Sequence, residues 1–356
     1  YKQDEGLIYH ARDMAIARAS FEKIPIYLVS AVPSLETYRN ILNKKYSHTK
    51  LLNRFNKSTF PEAKVINLNE TKLKKDEFIA KETIDIVKRH LENKDQVLFF
   101  LNRRGYSPFL VCKKCGYKHL CKNCSIYLTY HKLINKLVCH HCGFKTNVKK
   151  ECKVSKKDLC DFRMYGPGVE KILDELKLIF PEKNIIIFSS DFMSKKNEAD
   201  STIKKIEDNE INILIGTQLI SKGFNFPKLN CIVVVDADFS GMGYDLRTTE
   251  KNIQLYNQLS GRAGRFSKNS TIVYQTASPL NETLGDILEN DPEKFLMNEL
   301  SIRKNKNLPP FSRLVALIIS ASSSNDSSRA AKEIKRKLDN LNGLDILGPV
   351  DSPIFK

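Results

Sequence analysis

Nothing in this chain is long and apolar enough to cross a bilayer. The longest apolar runs, such as Ile185–Phe188 and Leu314–Ile319, fall far short of the ~18–20 residues a membrane helix needs. Tyr1–Tyr9 lacks the basic-then-apolar layout of a signal peptide, so no secretory leader is expected in these residues. Residue 1 is Tyr rather than Met, so the expectation is a processed chain or an excerpt from a longer one. Internal repeats are absent apart from paired cysteines. Acidic residues are in short supply: Asp plus Glu is 41 against 58 Lys plus Arg, a net charge of +17. What remains is an ordinary globular mix, 41% hydrophobic and 28% charged, which excludes a disordered or collagen-like chain. A length of 356 residues suits two compact domains and part of a third.

The charge is unevenly spread. Residues 102–165 hold 15 Lys/Arg against 3 Asp/Glu, a net +12 in that stretch alone. A focused basic field suits a polyanion, since release of condensed counterions drives phosphate binding. The abundance of Asn, Ile and Lys fits a compositional bias equally well, so the total charge decides nothing. Its concentration beside cysteines does.

Eight of the nine cysteines lie between positions 112 and 160. They read Cys112-x2-Cys115, Cys121-x2-Cys124, Cys139-x2-Cys142, then Cys152 and Cys160. Two cysteines three apart on a tight turn aim both thiolates at one tetrahedral Zn²⁺, with Zn–S near ~2.3 Å. With no secretory signal, and inside a basic segment, the pattern favours zinc over disulfides. Eight thiolates would make two sites, and the candidate ligands are Cys112, Cys115, Cys121, Cys124, Cys139, Cys142 and Cys152. The fourth pair is broken, because Ser155 stands where its second cysteine would be. Cys160 and the pair His140/His141 are the available substitutes, and the choice between them stays open. Cys231, before the apolar run Ile232–Val235, reads as an inert core thiol.

Strand and helix signals alternate along the chain. Ile24–Ser30 reads as a strand, with Ala11–Phe21 helical before it and Ser34 capping a helix that starts near Leu35. Asn53–Glu62 reads as a linker, Lys81–Leu91 as helix and Gln96–Leu101 as a buried strand. Beyond the cysteines, Gly168–Phe180 is amphipathic, with Val169, Ile172, Leu173, Leu176 and Ile179 on one face. Asn184–Phe188, Ile211–Ile215, Cys231–Val235 and Ser270–Gln275 read as strands, with helices at Ser201–Asn209 and Lys251–Ser260. This is the pattern of a mostly parallel α/β sheet. The cysteine segment, too irregular for a sheet core, is inserted between the first strand and first helix of that sheet. From about Asp286 the pattern changes to a helix, the corner Leu308-Pro-Pro-Phe311, a strand Leu314–Ala321 and a helix Ser328–Leu341. Phe99, Phe100, Phe188 and Tyr256 are expected in the core.

The most specific string is Gln258-Leu-Ser-Gly-Arg-Ala-Gly-Arg265. Two arginines three apart, among glycines that permit close backbone approach, form a cationic fork able to stabilise charge on a transferred γ-phosphoryl group. The string resembles motif VI of superfamily 2 helicases. Ile213-Leu-Ile-Gly-Thr-Gln218 with Lys222-Gly-Phe-Asn-Phe-Pro227 resembles motif V, Gln96–Leu101 with Asn102-Arg-Arg-Gly105 motif IV, and Ser30-Ala-Val-Pro-Ser34 motif III.

Taken in order, Tyr9-His-Ala-Arg-Asp13, SAVPSLET, LNRRGYSPFLVCKKCG, CHHCG, YGPGVEKI, ILIGTQLISKGFNFP, DLRTTE, QLYNQLSGRAGR and LPPF resemble the PriA family (primosomal protein N′) across nearly the whole chain. The resemblance implies an ATP-dependent 3′→5′ DNA helicase of bacterial cytoplasm that recognises stalled forks and restarts replication. It implies two Zn²⁺ sites, and ATP with Mg²⁺ in the intact enzyme. Implied partners are forked and single-stranded DNA, other primosome proteins, the replicative-helicase loading machinery and single-strand-binding protein, with no membrane. The corresponding layout is the end of a first lobe at 1–60, a RecA-like lobe at 61–107 and 164–280, a zinc module at 108–163 and a partial αβ C-terminal domain at 285–356. Carried onto this sequence, the family's motifs place Gln258, Arg262 and Arg265 in catalysis, those three with Gly223 on the nucleotide, and Arg103, Arg104 and Thr217 on DNA.

The departures are equally specific. The sequence holds no DEEH and no G-x-x-x-x-G-K-[ST] string, so these residues alone are not expected to hydrolyse ATP. Asn225 replaces a His common in the family, and Val32 stands in a Thr position. Two readings follow: part of an active helicase, or a truncated remnant that binds zinc and DNA without catalysis. Because structural zinc supplies folding free energy locally, chelation is expected to unfold the cysteine segment before the α/β lobe. Circular dichroism and intrinsic fluorescence followed during EDTA titration test this, and a single transition for the whole chain would count against a semi-independent module.

Overall fold

The computed structural model describes residues 2–3, 9–51, 59–71, 73–74, 77–101, 109–112, 119, 121–122, 128–131, 136–138, 144–148, 162–165, 169–188, 196–217, 226–237, 246–265, 269–277, 279–280, 282–289, 291–315, 317–339, 341, 343–346 and 348–349. The strands are β1 (Lys2–Gln3), β2 (Tyr9–His10), β3 (Glu62–Asn67), β4 (Gln96–Phe100), β5 (Phe109–Cys112), β6 (Thr129–His131), β7 (Lys136–Val138), β8 (Lys145–Asn147), β9 (Phe162–Tyr165), β10 (Ile185–Phe188), β11 (Ile213–Gly216), β12 (Leu229–Val234) and β13 (Thr271–Thr276). The helices, in chain order, are α1 (Ala11–Glu22), α2 (Leu35–Leu42), α3 (Lys81–Glu92), α4 (Val169–Ile179), α5 (Lys196–Glu207), α6 (Thr248–Ser260), α7 (Glu282–Glu289), α8 (Pro292–Asn305) and α9 (Ser324–Leu338).

Six strands form one sheet in the order β10-β11-β4-β12-β13-β3, and every pairing in it is parallel. A parallel sheet is covered on both faces, so its strands read as continuous apolar runs rather than alternating ones. β4, β11, β12 and β13 are buried at every position. Alternate residues still go to different layers. Leu98, Phe100, Leu214, Ile232, Val234, Ile272 and Tyr274 face α2, α6, α7 and α8. Val97, Phe99, Ile213, Ile215, Cys231, Val233 and Val273 face α3 and α4. Phe99, Phe100, Phe188 and Tyr256 are all fully buried, as expected.

Side chains from distant elements finish the helix ends. Ala80, the residue before α3, supplies no side-chain cap. Instead the Gln275 side chain in β13 accepts from the Ala80 amide (2.9 Å) and the Thr83 hydroxyl (2.7 Å), and donates to the Phe78 carbonyl (2.8 Å). Ser34 caps α2 as expected, accepting from the Thr37 amide at 3.3 Å.

The segment read as the end of a first lobe packs on the helices that cover this sheet. Val32, Leu35 and Tyr38 share a buried cluster with Ile253, Tyr256 and Leu296. Arg39 also donates to the Pro310 carbonyl, with its guanidinium 4.4 Å from the Phe311 ring centre. The corner 308–311 is therefore docked on α2.

The sequence reading needs several corrections. Ile24–Ser30 is not a strand: it pairs with nothing among the described residues, and Tyr27 and Val29 are 86% and 88% exposed. Leu314–Ala321 likewise forms no ladder among the described residues, with Val315 and Ile318 at 83% and 86% exposure. Apolar, β-branched composition marks a segment fit for a sheet, but a strand also needs a neighbour to receive its hydrogen bonds. β3 was missed. It occupies the sheet edge beside β13, where one half-buried flank suffices and Glu62-Ala-Lys-Val-Ile-Asn67 need not be apolar throughout. The cysteine-rich segment therefore follows the second strand in chain order rather than the first, and it carries two small antiparallel sheets, β5-β9 and β6-β7-β8. Helix α5 begins at Lys196 instead of Ser201, and α9 spans Ser324–Leu338 instead of Ser328–Leu341. Leu35 is fully buried. Leu35→Ala is expected to cost about 2–5 kcal/mol by the cavity it leaves, read as a fall in the midpoint of urea unfolding of the sheet lobe.

Candidate functional site

Helix α6 carries the chain along one face of the sheet and ends in the glycine-arginine turn. Gly261 closes the helix, and a Cβ there would meet the Asn257 and Gln258 carbonyls, both at 3.3 Å. Ala263 is fully buried beneath the turn. Gly264 has φ +66°, a conformation that disfavours residues with a Cβ, and its amide donates to the Leu229 carbonyl at 3.2 Å. The turn is thereby stitched to the first residue of β12. Arg262 and Arg265 flank Ala263 and are both half-buried, and Arg265 Nε donates to the Gly261 carbonyl at 3.3 Å. Burial, with the neighbouring Arg265 charge second, pulls the Arg262 guanidinium below its usual pKa. An anion held beside the two guanidiniums would offset this by favouring their charged forms. Gln258 lies on the exposed side of α6, one turn before Arg262. Gly223 lies outside the described residues.

The DNA candidates lie elsewhere. Thr217 directly follows β11, at the carboxyl end of the sheet, where the Leu101 amide donates to the Gly216 carbonyl at 3.0 Å. Arg103 and Arg104 lie outside the described residues. The arginine turn is anchored at the opposite, amino end of β12. With ~3.3 Å per residue, the five residues of β4 separate the two edges by roughly 17 Å. Thr217 and the arginines therefore belong to two different surfaces of one sheet.

Sequence reasoning missed what ties α6 to the segment at 30–37. The Glu250 carboxylate is bonded by the Leu35 amide, Gln254 Nε2 donates to the Val32 carbonyl at 3.4 Å, and Arg247 pairs with Glu36 at 2.6 Å. Ser30 Oγ donates to the same Val32 carbonyl at 2.7 Å. Val32 itself is a core side chain, so its backbone makes the polar contacts while its isopropyl group fills an apolar site. DLRTTE supplied the only signal for Glu250, as a string without an evident role.

Of the cysteines, Cys112 ends β5, and Cys121 is buried in a cluster with Leu110, Leu128 and Leu137. Cys115, Cys124, Cys139, Cys142, Cys152 and Cys160, together with His140, His141 and Ser155, lie outside the described residues. A buried thiol in a module this small fits a structural metal, which supplies cohesion beyond that of a small apolar core. Cys231 is fully buried in the sheet, and burial, with Asp95 second, pushes its thiol well above the usual range, as an inert core thiol requires.

Residues 121–146 match the family described as PriA DNA helicase Cys-rich region (CRR) domain, and residues 161–267 match Helicase conserved C-terminal domain. The chain is 40% identical to the Replication restart protein PriA of Rickettsia conorii over 356 residues, all of this chain and 55% of that protein. Along its whole length the chain is similar to PriA proteins. Identity to the Bacillus subtilis protein of the same name is 32% over 359 residues, covering 100% of this chain and 44% of the relative. The chain thus spans about half the length of the curated PriA proteins it matches. A solved structure of RecG bound to a three-way DNA junction is 12% identical, covering 79% of this chain and 26% of that one with a TM-score of 0.38, a likeness too loose to bear on the site.

Burial, followed by the charge of Glu36, raises the Glu250 carboxyl above its usual pKa. A carboxyl whose folded pKa exceeds its unfolded one favours the folded state at low pH and loses that advantage as pH rises through both values. Glu250→Gln keeps the acceptor for the Leu35 amide and removes the buried charge. It is expected to raise the melting temperature relative to the parent near neutral pH, with the gap closing below about pH 4. Thermal melts across that range check the sign.

Proposed function

We propose that this chain supplies the second motor lobe and the zinc module of an ATP-dependent 3′→5′ DNA helicase that acts at stalled or abandoned replication forks and assembles the primosome. The observation that carries this is the turn 261–265. It holds two half-buried guanidiniums on a sheet edge opposite Thr217, so one lobe presents a phosphate-facing fork and a separate DNA-facing edge.

In this reading Arg262 and Arg265 stabilise charge that develops on the γ-phosphoryl group of ATP, and Gln258 and Gly223 line the same cleft. The phosphate-binding Lys and the Mg²⁺-holding carboxylate come from sequence outside these 356 residues. Thr217, Arg103, Arg104 and the basic cysteine segment hold single-stranded DNA by its phosphates, so that opening and closing of the cleft moves the strand past the lobe. Two Zn²⁺ ions would be held by Cys112, Cys115, Cys121, Cys124, Cys139, Cys142 and Cys152 with one further ligand. Their role is to fold the module that contacts the fork, other primosome proteins, the helicase-loading machinery and single-strand-binding protein in the bacterial cytoplasm.

Arg262→Ala and Arg265→Ala in the intact protein are expected to lower ATP turnover by about 10³-fold or more. Affinity for forked DNA should stay within about twofold, because the turn lies on the other edge of the sheet. Steady-state ATPase assays and fluorescence anisotropy with a forked oligonucleotide read the two quantities. Equal loss of both, or unchanged turnover, would remove the arginines from the nucleotide site, whereas no ATP turnover in the parent protein would favour a zinc- and DNA-binding remnant.

A further inference from the structure

The strand that receives the arginine turn is irregular at the point of contact. Leu229 of β12 pairs with Gln96 and Cys231 with Val97, so Asn230 is an extra residue, a β-bulge, between them. Bulges of this kind bend a strand and re-aim its groups. Asn230 is buried, and its side-chain amide donates to Asp95 Oδ1 at 2.7 Å. The other carboxylate oxygen, Oδ2, lies 2.8 Å from His90 Nδ1. A carboxylate only accepts, so Nδ1 carries the proton and donates. His90 Nε2 then meets the Thr271 hydroxyl at 3.1 Å, at the start of β13. Asp95 therefore joins the end of α3, the start of β13 and the bulge of β12. The carbonyl immediately before the bulge, on Leu229, accepts the Gly264 amide.

We propose that Asp95 is a positioning residue for Arg262 and Arg265: by holding the Asn230 bulge it presents the Leu229 carbonyl to Gly264 and fixes the turn from which both guanidiniums project. This rests on the assignment of those arginines to the nucleotide cleft. It adds a requirement that the motif itself does not contain, since Asp95 and Asn230 lie outside the string 258–265 and touch neither arginine in any contact described above.

The test exchanges donor and acceptor. Asn230→Asp alone sets two carboxylates against each other, whereas Asn230→Asp combined with Asp95→Asn restores one donor and one acceptor across the same gap. Hydrogen exchange read on peptides is expected to speed about tenfold at 260–266 in the single variant, with 97–101 and 231–235 unchanged, and to return to the parent rate in the double variant. In the intact protein kcat for ATP should fall about tenfold with KM within about twofold, and recover in the double variant. Asn230→Ala gives the same pattern more mildly if the charged single variant unfolds. Unchanged exchange at 260–266, equal loosening of the sheet peptides, or no recovery in the double variant overturns the proposal. If Arg262→Ala leaves ATP turnover intact, the nucleotide reading fails instead, and the exchange pattern still reports separately on whether Asp95 fixes the turn.

Discussion

A parallel strand can be followed by another only if the chain crosses back over the sheet, and that requirement organises everything else in this molecule. Among the described residues, the returns from β3 to β4, from β10 to β11 and from β12 to β13 pass through α3, α5 and α6, so the candidate segments divide between the two ends of the strands. Those that follow a strand, such as Gly216-Thr217, emerge at the carboxyl edge. Those that follow a helix, such as the turn after α6, emerge at the amino edge. Two separate surfaces therefore come from one sheet without either intruding on the other. The covering helices also dictate composition: with both faces closed, the central strands carry apolar side chains at successive positions and leave chemistry to their ends.

Helix α6 has attachments at both ends. Its first half is bonded to the segment 30–37 through Glu250, Gln254 and Arg247, and its last residues lead into a turn secured to β12. An α-helix of 13 residues is about 20 Å long and stiff on this scale. A displacement of the segment at 30–37 therefore reaches the arginine turn as a displacement of the whole helix, not as a local adjustment. The buried Glu250 is costly in isolation, and its position between the Leu35 amide and two arginines gives that cost a structural return.

What could be read from the residues and what could not divides along physical lines. Val97–Phe100 and Cys231–Val234 were visible because a strand covered on both faces carries apolar side chains at successive positions. The string ending in Arg265 was visible because its glycines and arginines are each required by backbone or charge. β3 was hidden because an edge strand tolerates Glu62 and Lys64. Ile24–Ser30 and Leu314–Ala321 looked like strands for the converse reason: their composition suits a sheet, yet pairing depends on a neighbour that sequence alone does not name. Asp95, His90 and Asn230 carried no signal at all, and Glu250 only its place in the string DLRTTE. A carboxylate at the surface and one that joins three elements are the same letter, and only the fold brings their partners within bonding distance.

The cysteine-rich excursion departs and returns as a ribbon. Phe109 pairs with Tyr165 and Cys112 with Phe162, so the outgoing and incoming chains run side by side as β5 and β9. The strand that precedes this excursion, β4, sits in the middle of the sheet between β11 and β12. The returning strand β9 leads instead into α4, which packs on β10 at the sheet's edge and on β11. The ribbon is therefore rooted at two places, one chain at the centre of the sheet and the other over its margin. A change of length beyond the ribbon would leave both roots in place, because the pairing of β5 with β9 already brings the two chains side by side.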